Sequence, residues 1–581
     1  MKHITVMMLM FLVAAVANAA AVELVDLAEA TPGRTGICVT EMDGGERVEI
    51  PLTVLGTTGS TGPDGKIVLV RLQDPRFEET GIISGMSGSP VYLDGKLLGA
   101  LAYGWPFSKA PIGGVTPFQQ MLDVRSGPAD RGGVAGRPKL SEIVDAAREG
   151  GLGTMLVEWL LPEGAGAMQP LPLTVAVGGW WAPSGGGWLA EGWRRMGWVA
   201  APGGGASDGE AVTALAPGAM VAGVLVDGDV TLAAAGTVTE VRGDSLWAFG
   251  HLMFGAGSVR MPMARAQVVA VLPSRMNSFK FFTVGETIGE FVADRLHGVL
   301  GRVGTEAPMV PVRVAVDGRD YSFRSVRHPV LLPMMVGYLV HASHSARGRT
   351  FGNLTVTAKI DIRYRQRETA TVEASFAGGQ APSEAAAYAT AVMAYLAGSS
   401  FPAPEVESVN VELETFEGLR TATVLEVTPD RRVVRPGEEL PVHFRLRLRG
   451  QPEVLRTLTI RIPDNIADGR LDLVAADGAA WSAYDLRMRP LNPASFADEV
   501  RLVNRLEPAT RLVVALERQD IGMALAGGSV STPPGIVLQM KSALGPNLQT
   551  TAYRVLGRVQ EDLPFPVAGA QRVSLTVRSR N

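Results

Sequence analysis

The residues best suited to chemistry lie in the segment Gly85-Met86-Ser87-Gly88-Ser89-Pro90, where a serine stands between two glycines. Glycine permits the sharp turn that would expose the Ser87 hydroxyl group. The same turn would direct the backbone N–H groups of Gly85 and Ser87 at one point, as an oxyanion hole requires. Small-residue clusters also form ordinary turns, so this segment predicts a nucleophile only together with a second signal.

The residues after Ser87 predict a β-hairpin, with strands at 91–93 and 97–103 joined by an Asp94-Gly95 turn. The layout resembles the serine-bearing half of a chymotrypsin-like protease, and that resemblance places a wall of the substrate pocket at Ala102-Tyr103-Gly104. An esterase is a weaker alternative. Its nucleophile lies between a strand and a helix in Gly-x-Ser-x-Gly, whereas here the fifth position is Ser89.

A longer stretch, from Thr80-Gly81-Ile82-Ile83 through the Ser87 segment to DGKLLGA, resembles the serine motif of the SpoIVB (sporulation factor IV B) peptidases. That family has a Gly-His motif after a Gly-Thr-(Leu/Val)-Thr strand. Here Gly236-Thr237-Val238-Thr239 leads to Gly250-His251, and the segment 284–304 also resembles the family. The resemblance implies serine peptidase chemistry, with His251 as the base that takes the Ser87 proton and with no metal or organic cofactor.

The family also has an aspartate shortly before its serine, which corresponds to Asp74 here. The resemblance therefore implies a Ser87-His251-Asp74 triad, in which Asp74 orients the imidazole. An aspartate before proline is also a common turn former, so other residues stay open for these roles. They are Glu78, Glu79 or Asp244 as the orienting carboxylate, His297 as the runner-up base, and Lys280, close to Ser278, as a lysine base.

The order of the motifs along the chain departs from the family prototype, which has histidine, aspartate and then serine. A triad is defined by geometry and not by chain order, so exchanged halves can rebuild the same site. We expect a serine-bearing half-barrel at 20–125 and a histidine-bearing half-barrel at 210–365. Whether the two halves pair within one chain or between molecules is open at this point.

The remaining segments complete the predicted architecture. Residues 1–19 have the basic start, apolar centre and small-residue end of a signal peptide. Residues 126–209 are a Gly/Trp-rich insertion or connector, 366–404 a helical linker, and 405–581 a β-sandwich that resembles an immunoglobulin domain. The expected fold is mainly β, with two chymotrypsin-like half-barrels in permuted order, a C-terminal immunoglobulin-like β-sandwich and minor helical connectors.

The Trp-rich insertion contains Trp180, Trp181, Trp188, Trp193 and Trp198 among glycines. One interpretation is a lid or a surface that binds a membrane or a partner, because tryptophan favours such boundaries. The interpretation that we prefer is an insertion packed on the barrel through its own aromatic residues.

Composition limits the function classes. A net charge of −4 argues against nucleic-acid binding, which requires a concentrated basic surface. The single cysteine, Cys38, cannot form an internal disulfide, and no Cys/His cluster suggests zinc. With a signal peptide, this composition favours a periplasmic or cell-surface protein of a bacterium.

Two function classes remain. The first is an exported, selective serine endopeptidase that acts on a protein or peptide substrate. The second is a catalytically degenerate protease fold that serves as a binding or scaffold protein of the cell envelope. Its contact surface would be the C-terminal sandwich or the Trp-rich insertion. The sequence indicates neither the cleavage specificity nor the oligomeric state.

Overall fold

A computed structural model describes most of the 581-residue chain. The described residues are 22–59, 65–105, 108–127, 136–161, 170–178, 187–203, 215–274, 277–348, 352–365, 368–489, 493–525, 528–531, 535–536, 539 and 550–579. The predicted signal peptide at 1–19 and the residues Trp180 and Trp181 of the insertion lie outside them. The structure is mainly β, as the sequence predicts.

The N-terminal part is a closed barrel of six strands, in the order β1-β2-β3-β6-β5-β4. Alternating apolar residues fill its interior, with Ile50, Leu52 and Val70 among the fully buried ones. The predicted hairpin after Ser87 is present as β4 and β5. The elements are β1 (Thr35–Glu41), β2 (Arg47–Gly59), β3 (Lys66–Leu72), α1 (Arg76–Thr80), β4 (Pro90–Leu93), β5 (Lys96–Tyr103), β6 (Ile112–Pro117) and α2 (Phe118–Met121).

The central part is a sheet of 13 strands, whose middle closes on itself. Strand β9 pairs with both β10 and β12, so that β9, β12, β13, β14, β11 and β10 form a second closed circuit of six strands. The strands of the circuit are β9 (Met220–Gly228), β10 (Leu232–Arg242), β11 (Ser245–Ala248), β12 (Gly257–Leu272), β13 (Phe279–Arg295) and β14 (Gly298–Val303). The circuit lies within the residues 210–365 predicted for the histidine-bearing half-barrel, and β15, β16 and β17 of that range lie outside it.

Seven further strands extend this sheet at its two ends, and helices cover it. Strand β19 pairs with β15 and β17, although its residues fall in the predicted accessory domain. Strand β18 lies in the stretch predicted as a helical linker, where α7 matches the expected helix. These elements are β7 (Leu173–Val177), β8 (Trp198–Pro202), β15 (Met309–Val316), β16 (Arg319–Val326), β17 (Leu354–Tyr364), β18 (Thr369–Gly378), β19 (Val406–Glu417), α3 (Leu140–Glu149), α4 (Leu152–Leu160), α5 (Trp188–Arg195), α6 (Leu331–Ser345) and α7 (Ala381–Ala397).

Two of the three described tryptophans of the insertion are buried. Trp193 and Trp198 are buried and meet edge to face, with ring centroids 5.2 Å apart. Trp193 also stacks on Tyr338 of α6, and Trp198 meets Phe254, which follows His251 closely in the chain. This arrangement is the aromatic packing that we preferred for the insertion.

The C-terminal part consists of two sheets that share one apolar core. Phe444 from the first sheet and Leu473 and Leu516 from the second are fully buried between them. The elements are β20 (Ala422–Pro429), β21 (Val433–Val434), β22 (Glu439–Leu448), β23 (Glu453–Arg461), β24 (Gly469–Asp477), α8 (Gly478–Met488), α9 (Phe496–Val503), β25 (Arg511–Leu525), β26 (Gly528–Ser531), β27 (Thr550–Asp562), β28 (Val567–Ala568) and β29 (Ala570–Val577). The resemblance to an immunoglobulin domain itself stays a prediction.

No helix within the described part of the chain is both long and apolar enough to span a membrane.

The two barrels meet at an interface formed within one chain by the Ser87 turn and β10. The N–H of Thr237 donates to the Ser87 carbonyl at 2.7 Å, and the Thr237 hydroxyl donates to the Gly85 carbonyl at 2.9 Å. The Thr239 hydroxyl donates to the Gly88 carbonyl at 2.8 Å. These bonds fix the turn that carries Ser87 against the second barrel.

A buried carboxylate adds a second link between the barrels. Glu41 of β1 accepts hydrogen bonds from the backbone N–H groups of Met220 at 3.1 Å and Val268 at 2.8 Å. Burial raises the pKa of Glu41, and the hydrogen bonds from these N–H groups partly offset that rise. The first barrel thereby satisfies backbone donors of β9 and β12 that would otherwise be buried without a partner.

We predict that Gly88→Ala destabilises the protein strongly. A Cβ atom at Gly88 would lie 1.9 Å from the Thr237 carbonyl oxygen and 2.5 Å from the Phe249 nitrogen, so the barrels would have to separate. We expect a cost on the order of 3 kcal/mol, measured as a fall in the midpoint of denaturant unfolding.

The matched control is Gly95→Ala, because Gly95 also has a positive φ but open space around it. This control should cost only about 1 kcal/mol from backbone strain. Equal losses in the two variants would show that the close contact at Gly88 is unimportant.

Candidate functional site

The turn that carries Ser87 lies between α1 and β4. Gly85 has φ +96° and Gly88 has φ +99°, values that favour glycine at both positions. The turn is closed by a bond from Ser89 N–H to the Met86 carbonyl at 2.9 Å, and Gly88 N–H bonds the Leu101 carbonyl at 2.8 Å. Within the described part of the chain, neither the Gly85 N–H nor the Ser87 N–H donates a hydrogen bond. Both predicted oxyanion donors are therefore available.

His251 reaches Ser87 from the second barrel. It follows Phe249 and Gly250, which both have φ +70° and turn the chain sharply after β11. The Thr116 hydroxyl of the first barrel holds this turn through the Gly250 carbonyl at 2.6 Å. The imidazole Nε2 then lies 2.8 Å from the Ser87 Oγ, so the structure brings the predicted nucleophile and base into hydrogen-bond contact.

The other ring nitrogen of His251 determines its tautomer. Nδ1 lies 2.6 Å from the Leu252 carbonyl oxygen, which can only accept a hydrogen bond. Nδ1 therefore carries the proton, and Nε2 accepts the hydrogen bond from the Ser87 hydroxyl. A histidine in this form is set to act as a general base toward serine.

Asp74 does not contact His251, contrary to the expected triad. Its carboxylate accepts hydrogen bonds from the Arg76 guanidinium group at 2.7–3.2 Å and from the Arg76 backbone N–H at 3.0 Å. The bond to Arg76 lowers the pKa of Asp74. Asp74 thus stabilises the start of α1, and a backbone carbonyl occupies the position where a triad has its carboxylate.

Asp294, at the end of β13, is the carboxylate that contributes most to the orientation of His251. The sequence analysis did not predict it. It is 1% exposed and accepts hydrogen bonds from the N–H groups of Met253 and Phe254, both at 2.7 Å, and of Ala256 at 3.1 Å. It therefore fixes the loop that begins with Leu252, whose carbonyl orients His251. In the sequence, Asp294 stands three residues before His297 and 43 residues after His251. No local pattern therefore indicated that it holds the loop after His251.

The other candidate bases and carboxylates are placed elsewhere. Lys280 lies near the site without reaching the Ser87 hydroxyl, because its stem packs beside Gly85 and its Nζ donates to the Thr40 hydroxyl at 2.8 Å. Ser278 donates to the Thr80 carbonyl at 2.9 Å. The remaining candidates are Asp244, paired with Arg302 at 2.7 Å, Glu78 and Glu79, both exposed, and His297, in the turn between β13 and β14.

The reactive pair is deeply buried. Ser87 and His251 are each 2% exposed, and the pocket wall predicted at Ala102 and Tyr103 is buried too. Burial lowers the pKa of His251 to about 4, although the bond to the Leu252 carbonyl acts in the opposite direction. His251 is therefore neutral, and able to accept a proton, throughout the ordinary pH range.

Comparison with known proteins gives one match. Residues 14–116 match the family model of the SpoIVB peptidase S55 family. The matched residues include Ser87 and residues of all six strands of the first barrel, and they end before His251. Searches of curated proteins and of solved structures found no match. The Ser87 barrel is therefore similar to the SpoIVB peptidase S55 family, as its serine motif predicted.

Proposed function

We propose that this protein is a serine endopeptidase that cleaves protein or peptide substrates through a Ser87-His251 pair. The observation that carries the proposal is the 2.8 Å hydrogen bond between Ser87 Oγ and His251 Nε2, with the tautomer fixed by Leu252. The family match supports the same chemistry independently, because it includes the nucleophile.

The geometry supports acyl transfer in two stages. Ser87 Oγ attacks the substrate carbonyl carbon while its proton passes to His251 Nε2, and the negative oxygen faces the N–H groups of Gly85 and Ser87. His251 then gives the proton to the leaving amine as the C–N bond breaks. A water molecule, deprotonated by His251, then attacks the acyl carbon, the ester C–O bond breaks, and His251 returns the proton to Ser87 Oγ.

The site differs from a triad in what stabilises the positive charge of the imidazolium ion formed during the reaction. The Leu252 carbonyl supplies a dipole in place of a full negative charge, and Asp294 acts only on the loop around it. Asp294 is therefore a positioning residue and not a member of a charge pair with His251. We expect slower acyl transfer than a complete triad would give, which suits a selective or regulatory peptidase.

The second candidate function is a catalytically degenerate protease fold used for binding in the cell envelope. Ser87 and His251 are each only 2% exposed, and among the described residues no carboxylate contacts the His251 ring; both observations favour it. Under either function we propose export, on the signal-like composition of residues 1–19, and action in the periplasm or at the cell surface of a bacterium.

We predict that a fluorophosphonate probe labels Ser87 of the purified protein. An activated serine reacts with such a probe even when its natural substrate is unknown. Ser87→Ala and His251→Ala should both abolish the adduct, as peptide mapping by mass spectrometry would show. A folded wild-type protein that takes up no probe at any pH would favour the binding function instead.

We predict that Asp74→Asn and Asp294→Asn differ in their effect on labelling. Asp74→Asn should keep the rate within about twofold, because its partner is Arg76. Asp294→Asn places an amide NH₂ group against backbone donors of the loop and should slow labelling by about tenfold or more.

Thermal melting of both variants would separate a loss of fold from a loss of orientation. A strong loss in folded Asp74→Asn would return Asp74 to the catalytic group.

The pH dependence follows from the lowered pKa of His251. Only neutral His251 accepts the serine proton, so labelling should proceed at a constant rate from pH 8 down to about 5 and fall to half near pH 4. Labelling that falls to half near pH 6.5 would indicate a solvent-exposed histidine and would contradict the buried geometry.

A further inference from the structure

The strand edge beside the reactive pair is already occupied by another part of the chain. Pro170 forms an antiparallel bridge with Tyr103 at the end of β5, and the Leu171 N–H donates to the Ala102 carbonyl at 3.0 Å. A short extended segment is thereby added to an open sheet edge, which is a common way for a protein to bind a peptide.

This edge lies next to Ser87 and His251. One residue before Ala102, the Leu101 carbonyl accepts the Gly88 N–H at 2.8 Å, and the Leu101 N–H donates to Ser89 at 2.9 Å. The ring centroids of Tyr103 and His251 are 6.5 Å apart. A chain bound along Ala102–Gly104 therefore runs past the nucleophile.

The side chain of Leu171 fills a pocket in this edge. Leu171 is 4% exposed, and a Cβ atom built on Gly104 would lie 2.6 Å from its Cδ2 and 3.5 Å from Ile82 Cβ. Because Gly104 has no side chain, it leaves a space beside Ile82 that the leucine side chain occupies.

We propose that Leu171 sits in the primary substrate pocket of the peptidase as a built-in substrate mimic. Substrates would bind as an antiparallel strand on Ala102–Gly104, with a leucine-sized apolar side chain between Ile82 and Gly104. They would have to displace Pro170 and Leu171 first. This proposal rests on the proposed function and adds to it both the side-chain class at the cleavage site and the competitor that occupies the strand edge beside the reactive pair.

The sequence of the segment explains how it can stay in place without being cut. Pro172 follows Leu171, so the bond after the bound leucine is a tertiary amide whose nitrogen has no N–H and carries a rigid ring. The next residues, Leu173–Val177, form β7, which pairs with β8 and β10 of the second sheet. The mimic is therefore anchored beside the site.

The test uses diphenyl phosphonates that carry a leucine, a lysine or an alanine side chain. Ser87 Oγ attacks phosphorus and phenoxide leaves, so the rate of adduct formation reports pocket occupancy. We expect Leu171→Ala to react at least about tenfold faster with the leucine probe than wild type, which corresponds to a pocket that is nine-tenths occupied. The lysine probe should gain little. Leu171→Met should keep the slow wild-type rate.

Leu173→Ala is the matched control, because Leu173 lies two residues along the same segment and is also 4% exposed. It should react at the wild-type rate. Gly104→Ala is a second route to the same result, since its methyl group would push Leu171 out of the pocket. It should accelerate a probe with an alanine side chain even if Leu171→Ala does not fold.

The outcomes separate the two proposals. Equal rates for wild type, Leu171→Ala and Gly104→Ala, with fluorophosphonate still labelling Ser87, would overturn the substrate mimic and leave the peptidase intact. An equal gain with the lysine probe would overturn the leucine-sized specificity. No labelling of any folded variant by any probe would overturn both proposals.

Discussion

The contact between the Ser87 turn and β10 is the interaction on which the site depends. The Thr237 and Thr239 bonds hold the main chain on both sides of Ser87, while the Ser87 side chain reaches His251 of the same second barrel. Gly88 permits this approach because it has no side chain. The proposed nucleophile is thus oriented by the same hydrogen bonds that join the barrels, and the permuted motif order is accommodated within one molecule.

Several buried polar groups around the site hold its loops and strands in place, whereas in the usual triad one aspartate orients the histidine. Asp294 holds the loop after His251, and Glu41 holds β9 and β12 against the first barrel. Lys280 is fully buried beside Gly85, and burial lowers its pKa. Because a buried group without a partner is costly, such a network favours one relative placement of the two barrels. The orientation of His251 therefore depends on several buried contacts and not on a single aspartate.

The sequence predicted the parts of the site that depend on local pattern. The glycine-flanked Ser87 and the hairpin after it lie where the local pattern indicated, and Gly250-His251 lies where the family resemblance indicated. A helix, α7, is present within the predicted helical linker at 366–404. What the sequence could not supply was the set of long-range contacts. Asp74 was predicted because it lies shortly before Ser87 in the chain. Its carboxylate instead binds Arg76, two residues away. Neither Asp294 nor Leu171 has a local pattern that reveals which loop or pocket it reaches.

The separation of the two reactive residues also has a consequence for biosynthesis. Ser87 and His251 are 164 positions apart, and the serine comes first. Because domains fold as units and the N-terminal one folds first during synthesis, the Ser87 barrel can form while the residues of the second barrel are still being added. During that interval the serine has no base to activate it. Under the proposed peptidase function, the order of the segments along the chain therefore delays completion of the Ser87-His251 pair until the second barrel has been made.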